Sequence, residues 1–390
     1  MGKQLSPASR TGAGQWSYLR VANVYEGRID YSDVNSMAFS AAERETYGLL
    51  PGDILLNEGQ ENLMMVGRSA LYDGAPGEFC FQNTLIRFRP GPAVVPEFAQ
   101  AVFVWWRANA VFAGIAEKTS ISHLGGSRFG ALPFPLIPVA TQRRIVEVID
   151  SAAEMERGIE ASISKIRNVR RGALMASMAA VASEEPRAGW VRVPLKDIVP
   201  SAEYGVSEAL DRDARGVPVL RMNNIQSGRI DADELRYCPV PVPAKLFLRQ
   251  GDVLFNRTNS MEHIGKTAMW RDELPSATFA SYLVRLIPDL LRVTPEYLVE
   301  WLMHPLVRQR VRSISTVAVQ QVNVNPSRLR ELEIDLPVDL AEQRRIVATL
   351  EACDDQIERE NEELHKLREL KQGLVDDLLS GRVEVSAVAA

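Results

Sequence analysis

ATQRRIVEVID occupies residues 140–150, and AEQRRIVATLE occupies residues 341–351. Six of the eleven positions are identical at a spacing of 201 residues. The echo runs well outside these two stretches. LRVANVYEGRID at 19–30 matches LRMNNIQSGRID at 220–231, and LLPGDILLNEG at 49–59 matches FLRQGDVLFNRT at 247–258. VGRSA at 66–70 matches IGKTA at 264–268, LIRFRP at 85–90 matches LVRLIP at 283–288, and VPEF at 95–98 matches TPEY at 294–297. Order is kept and the offset stays between 198 and 201. That period is far too long for a solenoid, so the chain is a duplicated domain.

Each repeat divides in the same way. Short β-rich runs with glycine turns come first, GDILLN and TLIRFRP, then GDVLFN and YLVRLIP. A helix opening on Pro-Glu follows, a favourable N-terminus. Next is a proline-bounded segment with strand character, ALPFPLIPVA or LEIDLPVDL. A long helix closes each repeat. Apolar residues recur at steps of three and four at Ile145, Val148, Ala152, Met155, Ile159, Ile166, Val169 and Ala173, with Ser162 in the one polar gap. The second helix offers Ile346, Leu350, Cys353, Ile357, Leu364, Leu367 and Leu374. A 3.5-residue period held this long favours helix pairing, and forty residues of helix span roughly 60 Å. Two readings follow: antiparallel pairing of the two helices, which we favour, or separate packing of each on its own domain. The expected class is α+β, two similar mixed α/β domains separated by two long helices pairing as an antiparallel coiled coil with pseudo-two-fold symmetry.

Composition bounds the function. At 390 residues and 46% hydrophobic, the chain can bury real cores. No eighteen-residue apolar run occurs, and the first residues lack the apolar stretch of a secretory signal, so no membrane role and a cytoplasmic location are expected. Cys80, Cys238 and Cys353 are scattered, which argues against a disulfide framework or a zinc site. The net charge of −5 looks wrong for a nucleic-acid binder. However, residues 341–380 hold eleven Asp/Glu against six Lys/Arg, which accounts for all of it and leaves basic patches open elsewhere.

The chain resembles the specificity (S) subunits of Type I restriction–modification systems over essentially its whole length. The resemblance rests on Pro138 with Gln142-Arg143-Arg144-Ile145-Val146, on Pro337 with Gln343-Arg344-Arg345-Ile346-Val347, and on the closing LKQGLVDDLLSGRVEV at 370–385. It implies target-recognition domains at 1–139 and 182–339, spacer helices at 140–181 and 340–381, and a tail at 382–390. It implies a non-catalytic subunit in which each recognition domain reads one half of a bipartite, asymmetric DNA site. The helices then act as spacer and docking surface for two modification subunits, with or without restriction subunits. No cofactor is expected in this chain; S-adenosylmethionine and ATP belong to the partner subunits. A duplicated coiled-coil scaffold binding protein rather than DNA is the alternative.

Two departures stand out. PRAGWVRVPLKDIV at 186–199 opens the second repeat but has no counterpart in the first. The C-terminal GRVEVSAV is a candidate for the missing strand. The first helix also ends RRGALMASMAAVASEE, only loosely like the close of the second.

Catalytic patterns are missing. Asn325-Pro326-Ser327 lacks the second proline and the aromatic of a base-holding methyltransferase motif. Gly265-Lys266-Thr267 ends like a P-loop, but residue 260 is Ser, so a turn between strands is expected. No G-x-S-x-G elbow occurs.

A DNA reader draws affinity from Arg and Lys on phosphates and specificity from polar side chains on base edges. Asn and Gln suit adenine, and Arg suits guanine. Loops that both repeats place alike supply the candidates: Asn57, Glu58, Gln60 and Asn62 with Asn256, Arg257, Thr258 and Asn259 after the Gly-Asp strands. Before the helix junction come Lys118, Thr119, Ser120, Ser122 and His123 with Gln320, Gln321 and Asn323. Ordinary polar hairpin loops are the bland alternative. Arg128 and Arg328 align and suit either a phosphate or a strand cap. Arg20, Asn23, Arg221, Asn223 and Asn224 lie in the best-matched block and are read as structural. Trp105 and Trp106 are read as core or interface. Arg143-Arg144 and Arg344-Arg345 place cations at helix N-termini, where the dipole opposes them, so a partner carboxylate or phosphate is expected.

Overall fold

The computed structural model describes residues 1–382 apart from Gly12, Glu61, 118–121, 179–184, Ser227 and 318–320, and it does not describe the Gln60 side chain. Two long helices, Val139–Ser177 and Leu340–Ser380, close the two repeats. The chain divides into two compact units, Met1–Glu160 with Glu362–Ala390, and Ala161–Asn361. Each unit therefore combines the mixed α/β region of one repeat with the first half of one long helix and the second half of the other.

The first unit is built on Ile54–Asn57, flanked antiparallel by Ser69–Leu71 and Leu85–Phe88. The Gly-Asp pair explains how this strand starts. Gly52 takes a φ of +92°, which suits a residue without Cβ. The buried Asp53 carboxylate accepts from the Leu50 N–H and pairs twice with Arg89, at 2.6 Å each. Alternation does the rest. Ile54 and Leu56 pack on the helix Pro96–Ala108 through Phe98, Val102 and Phe103. Leu55 faces the opposite way, onto Leu19, Val24 and Phe81. A second sheet orders Asn35–Ala38, Gln15–Leu19 and Cys80–Phe81.

The second unit repeats this plan. Gly251 has a φ of +88°, and Asp252 accepts from the Arg249 N–H and from Arg285 at 3.0 Å each. Val253–Asn256 lies between Thr267–Met269 and Leu283–Ile287, and Ser201–Tyr204 adds a fourth strand. A further strand, Trp190–Pro194, runs antiparallel to Glu333–Pro337, with Arg192 paired to Asp335 across the ladder at 2.6 and 2.7 Å.

The expected strand in ALPFPLIPVA does not form. Residues 132–138 carry no strand, whereas their counterpart Glu333–Pro337 does. The second unit supplies a pairing partner from 186–199, and Pro133 and Pro135 withdraw two N–H groups in the first. Of the proposed strand donor at 381–388, residues 383–388 lie outside the described residues. Aromatic rings fill the corresponding core instead: Phe103 lies within 6.4 Å of Phe88, Trp106, Phe112, Phe129 and Phe134.

Within each unit the two helix halves run antiparallel. In the first, Glu156 meets Lys371 at 3.0 Å and Glu160 meets Arg368. In the second, the Ser162 hydroxyl donates to Glu360 at 2.9 Å, and Arg170 meets Asp354 at 2.6 Å. Ile145, Leu350 and Leu364 are buried, and Val148, Ala152, Ile159, Ile166, Ile346, Ile357 and Leu367 are half-buried. Met155 is the exception, 59% exposed, and Val169 is 56% exposed. The half-buried positions beside them are Glu156 and Arg170, and Ile163 rather than Ser162 is the buried residue of the middle turn. At Met155, Ser162 and Val169 the seam thus runs one residue further along than the apolar pattern indicates, while Ile145, Ala152, Ile159 and Ile166 keep the expected register. Cross-helix ion pairs satisfy the charges that this brings inward.

Candidate nucleic-acid interface

The Gly-Asp strands end in polar loops, and the ladder brings each loop to the second candidate stretch of its own unit. In the first unit Gly59–Gln60 pairs antiparallel with Ser122–His123, Ser122 opposite Gln60 and His123 opposite Gly59. In the second, Thr258–Asn259 pairs with Val322–Asn323, and Thr316–Val317 adds a third strand. Two segments more than sixty residues apart in each repeat therefore form one surface. The side chains at the join differ. Glu58 Oε2 lies 3.0 Å from His123 Nδ1 in the first unit. Arg257 Nη2 donates to Asn323 Oδ1 at 2.8 Å in the second.

The remaining candidates divide by burial. Asn57 and Asn256 are wholly buried, with no hydrogen bond to either amide atom among the described residues. Alternation explains this: Asn57 follows Leu55 by two and so faces the interior, as Asn256 does after Leu254. Both are corrected from the surface set. Ser122 and Thr258 are buried at 7% each. Asn62 accepts from the Met64 N–H at 3.0 Å and caps a short turn. Asn259 accepts from the Ser260 N–H at 2.8 Å. Arg128 is spent on its own loop, donating to Leu124 O, His123 O and Glu117. Arg328 and Gln321 are exposed, without such ties among the described residues. Lys118, Thr119, Ser120 and Gln320 lie outside the described residues, and Gln60 is described in backbone only.

In the matched block the two aligned asparagines hold the fold, whereas Asn223 is exposed. Asn23 and Asn224 are each 2% exposed. Asn23 accepts from the Arg20 N–H and donates to Asp30 O and Asp33 O; Asn224 repeats this with Arg221, Asp231 O and Glu234 O. Trp105 donates to Asp376 at 2.7 Å, and Trp106 is 6% exposed within the aromatic core. Gly265 is a turn residue with φ +78°, hydrogen-bonded to Asn256 O, as Gly67 is to Asn57 O.

Two features went unread in the sequence. Tyr204 and Tyr282 are about half exposed beside the second unit's ladder. The Tyr204 ring lies 5.0 Å from the Arg257 guanidinium, and Tyr282 O accepts from the Arg257 N–H. In the junction motif the buried residue is the glutamine. Gln142 accepts from the Val95 N–H and donates to Ala93 O and Ile137 O, at 2.8, 2.9 and 2.7 Å. Gln343 does the same with Thr294 N, Arg292 O and Pro337 O, at 2.9 Å each. The glutamines therefore lock each Pro-Glu helix start to its long helix. Arg143, Arg144, Arg344 and Arg345 remain exposed, with no ion pair among the described residues.

Residues 187–369 match the family described as Type I restriction modification DNA specificity domain. Over these residues, just under half of its length, the chain is similar to that family. It is 31% identical over 194 residues to the putative type I restriction enzyme MjaX specificity subunit of Methanocaldococcus jannaschii, covering 49% of this chain and 45% of that one. The chain thus spans less than half the length of that relative. It is 21% identical over 389 residues to the EcoKI specificity subunit of Escherichia coli, covering 94% of this chain and 82% of that one. Among solved structures, a chain of a type I R-M system superposes with a TM-score of 0.63 at 18% identity, covering 97% of this chain and 96% of that one. The HsdS subunit from Thermoanaerobacter tengcongensis gives 0.53 at 18% identity, covering 95% and 91%. The specificity-subunit fold, two α/β domains joined by long helices, is the one observed.

Among the described residues no group of three His, Cys, Asp or Glu is placed to hold a metal. Burial pushes the Cys80 thiol up to about 11, which keeps it unreactive. No described helix is long and apolar enough to cross a membrane.

Proposed function

We propose that the chain is a non-catalytic reader of DNA sequence. Each unit takes one half of a bipartite, asymmetric site, and the long helices set the spacing and dock two modification subunits. The observation that carries this is the recurrence of one paired-loop surface in both units with unlike side chains at the join, Glu58 with His123 and Arg257 with Asn323. A shared backbone carrying different polar groups is what two non-identical half-sites require. Carboxylates accept from cytosine N4, and arginine donates to guanine O6 and N7. Glu58, His123, Arg257, Asn259, Gln321, Asn323 and Arg328 are the described side chains we assign to this surface, with Asn62 at its edge. Lys118, Thr119, Ser120, Gln60 and Gln320 belong to the same two stretches.

Partners follow from the same reading: double-stranded DNA, two modification subunits, and restriction subunits where the system cuts. S-adenosylmethionine and ATP are assigned to those subunits, and the complex to the cytoplasm. The test is a gel shift of the chain with a modification subunit over a library of bipartite sites. A bipartite preference is expected, and exchanging residues 1–139 for another family member's first domain should alter one half-site only. No preference with the partner present, or a change in both halves, would sink the reading.

A further inference from the structure

The helix Pro305–Ser313 reads PLVRQRVRS. Val307 and Val311 are buried in the second unit's core. Arg308 and Arg312, four residues apart, therefore share the adjoining helix face. Arg308 Nη2 donates to Glu262 O at 2.7 Å and Ile264 O at 3.1 Å, which fixes the turn that follows Thr258–Asn259. Arg312 has no ion pair or side-chain hydrogen bond among the described residues, and its Nε is buried. Its carbonyl accepts from Ser315, one residue before the strand Thr316–Val317. Arg308 thus stands against the turn of the paired loops assigned above to DNA, and Arg312 lies one helical turn further along the same face.

We propose that Arg308 and Arg312 form a clamp for a DNA backbone phosphate, present in the second unit and missing from the first. The inference rests on the proposed function and adds to it where the backbone is gripped. Its physical basis is a pair of cations with no ion pair among the described residues. Burial, and then the charge of Arg312, hold the Arg308 guanidinium below its usual range, while Glu262 acts in the other direction. Like charges brought together and half-buried are costly without an anion. Arg310 does not relieve them, since it donates elsewhere, to Glu333 O. Guanidinium forks suit phosphate oxygens.

The first unit supplies the control. At an offset of 199, Arg308 and Arg312 correspond to Asn109 and Ala113. The matching turn is held instead by Arg107, which donates to Met64 O at 3.1 Å. Arg107 is neutralised by Glu26 at 3.0 Å. One unit holds this turn with a paired arginine, and the other with an unpaired one beside a second cation.

The test uses the full chain assembled with modification subunits, with DNA affinity measured across a salt series. Arg312→Gln should lower the slope of log affinity against log salt by about 0.9, the counterion share of one phosphate. It should weaken binding alike for every base sequence of the second half-site, and Arg312→Lys should keep the slope. Ethylation interference on the unaltered complex should mark a phosphate in the second half-site with no equivalent in the first. An unchanged slope in Arg312→Gln, a loss confined to one base identity, or symmetric interference would overturn the clamp. If the unaltered complex shows no sequence preference, the proposed function falls and the clamp with it. If Arg312→Gln does not fold, the interference pattern decides alone.

Discussion

The two units answer one structural problem in two ways. Each must deliver its chain from the mixed α/β region into a long helix at a fixed place. The second unit does so with a five-residue ladder between Trp190–Pro194 and Glu333–Pro337, stapled by Arg192 and Asp335. The first has no described strand there and packs Phe88, Phe103, Phe129 and Phe134 against one another instead. Only the glutamine lock is common, with the same three backbone bonds in each unit. The support is therefore replaceable, while the direction in which the helix leaves is held by Gln142 or Gln343.

Substituting the glutamines tests that conclusion most severely. Gln142→Ala and Gln343→Ala each leave one N–H and two carbonyls without partners, on residues wholly or partly buried except at the exposed Ala93 and Arg292. At roughly 1–3 kcal/mol for each buried group left unpaired, softened by local relaxation, a loss of about 4 kcal/mol is expected in either unit. Chemical denaturation monitored separately for the two units by hydrogen exchange would measure it. Equal losses uphold a common lock. A loss below about 1 kcal/mol in either unit would mean that the ladder or the rings carry the junction alone.

Next in size is the ladder. Val193 lies opposite Ile334 and is 9% exposed. Val193→Pro withdraws an N–H from the pairing and should cost about 3 kcal/mol. The first unit already carries Pro133 and Pro135 in the corresponding stretch. Exchange protection should fall around 332–337 and be unaffected at 54–57. Loss of protection at both places would refute the independence of the two supports.

Much of this was legible in the sequence. The constant offset showed the duplication, the Gly-Asp turns located the central strands, and Pro-Glu marked both short helices. The long helices were also legible from their period. What escaped has identifiable causes. A strand needs a partner, and ALPFPLIPVA looks like its counterpart in composition while lacking one. Asn57 and Asn256 look like loop residues by type, but alternation turns them inward. Glutamine and arginine usually read as surface residues, so neither the buried lock nor the pairing of Glu26 with Arg107 was visible until the fold set their neighbours. The convergence of residues 59–60 with 122–123, and of 258–259 with 322–323, was foreshadowed only by the repeat placing both stretches alike. Pairing distance is not written in a single sequence.

The smallest effect concerns the helix seam and separates the apolar reading from the observed one. If apolar spacing set the register, Met155 and Val169 would face inward and Glu156 and Arg170 outward. In the structure Arg170 joins Asp354 at 2.6 Å and Glu300 at 2.8 Å, while Met155 is 59% exposed. Burial raises the Glu300 carboxyl above its usual range, and the Arg170 charge partly counters this. Removing that charge strands a mostly buried acid. Arg170→Ala should therefore cost about 2 kcal/mol, below the range for fully buried pairs because Arg170 and Asp354 remain partly solvated. Met155→Ala should stay within about 0.5 kcal/mol, as for a surface site. Acid enters the seam from the first half of each long helix and base from the second, as Glu156 with Lys371 and Asp354 with Arg170. A shift of one residue would part both pairs, so the charges select the register that the apolar pattern leaves open. Denaturation midpoints ranking Met155→Ala as the more damaging variant would return the seam to the apolar register.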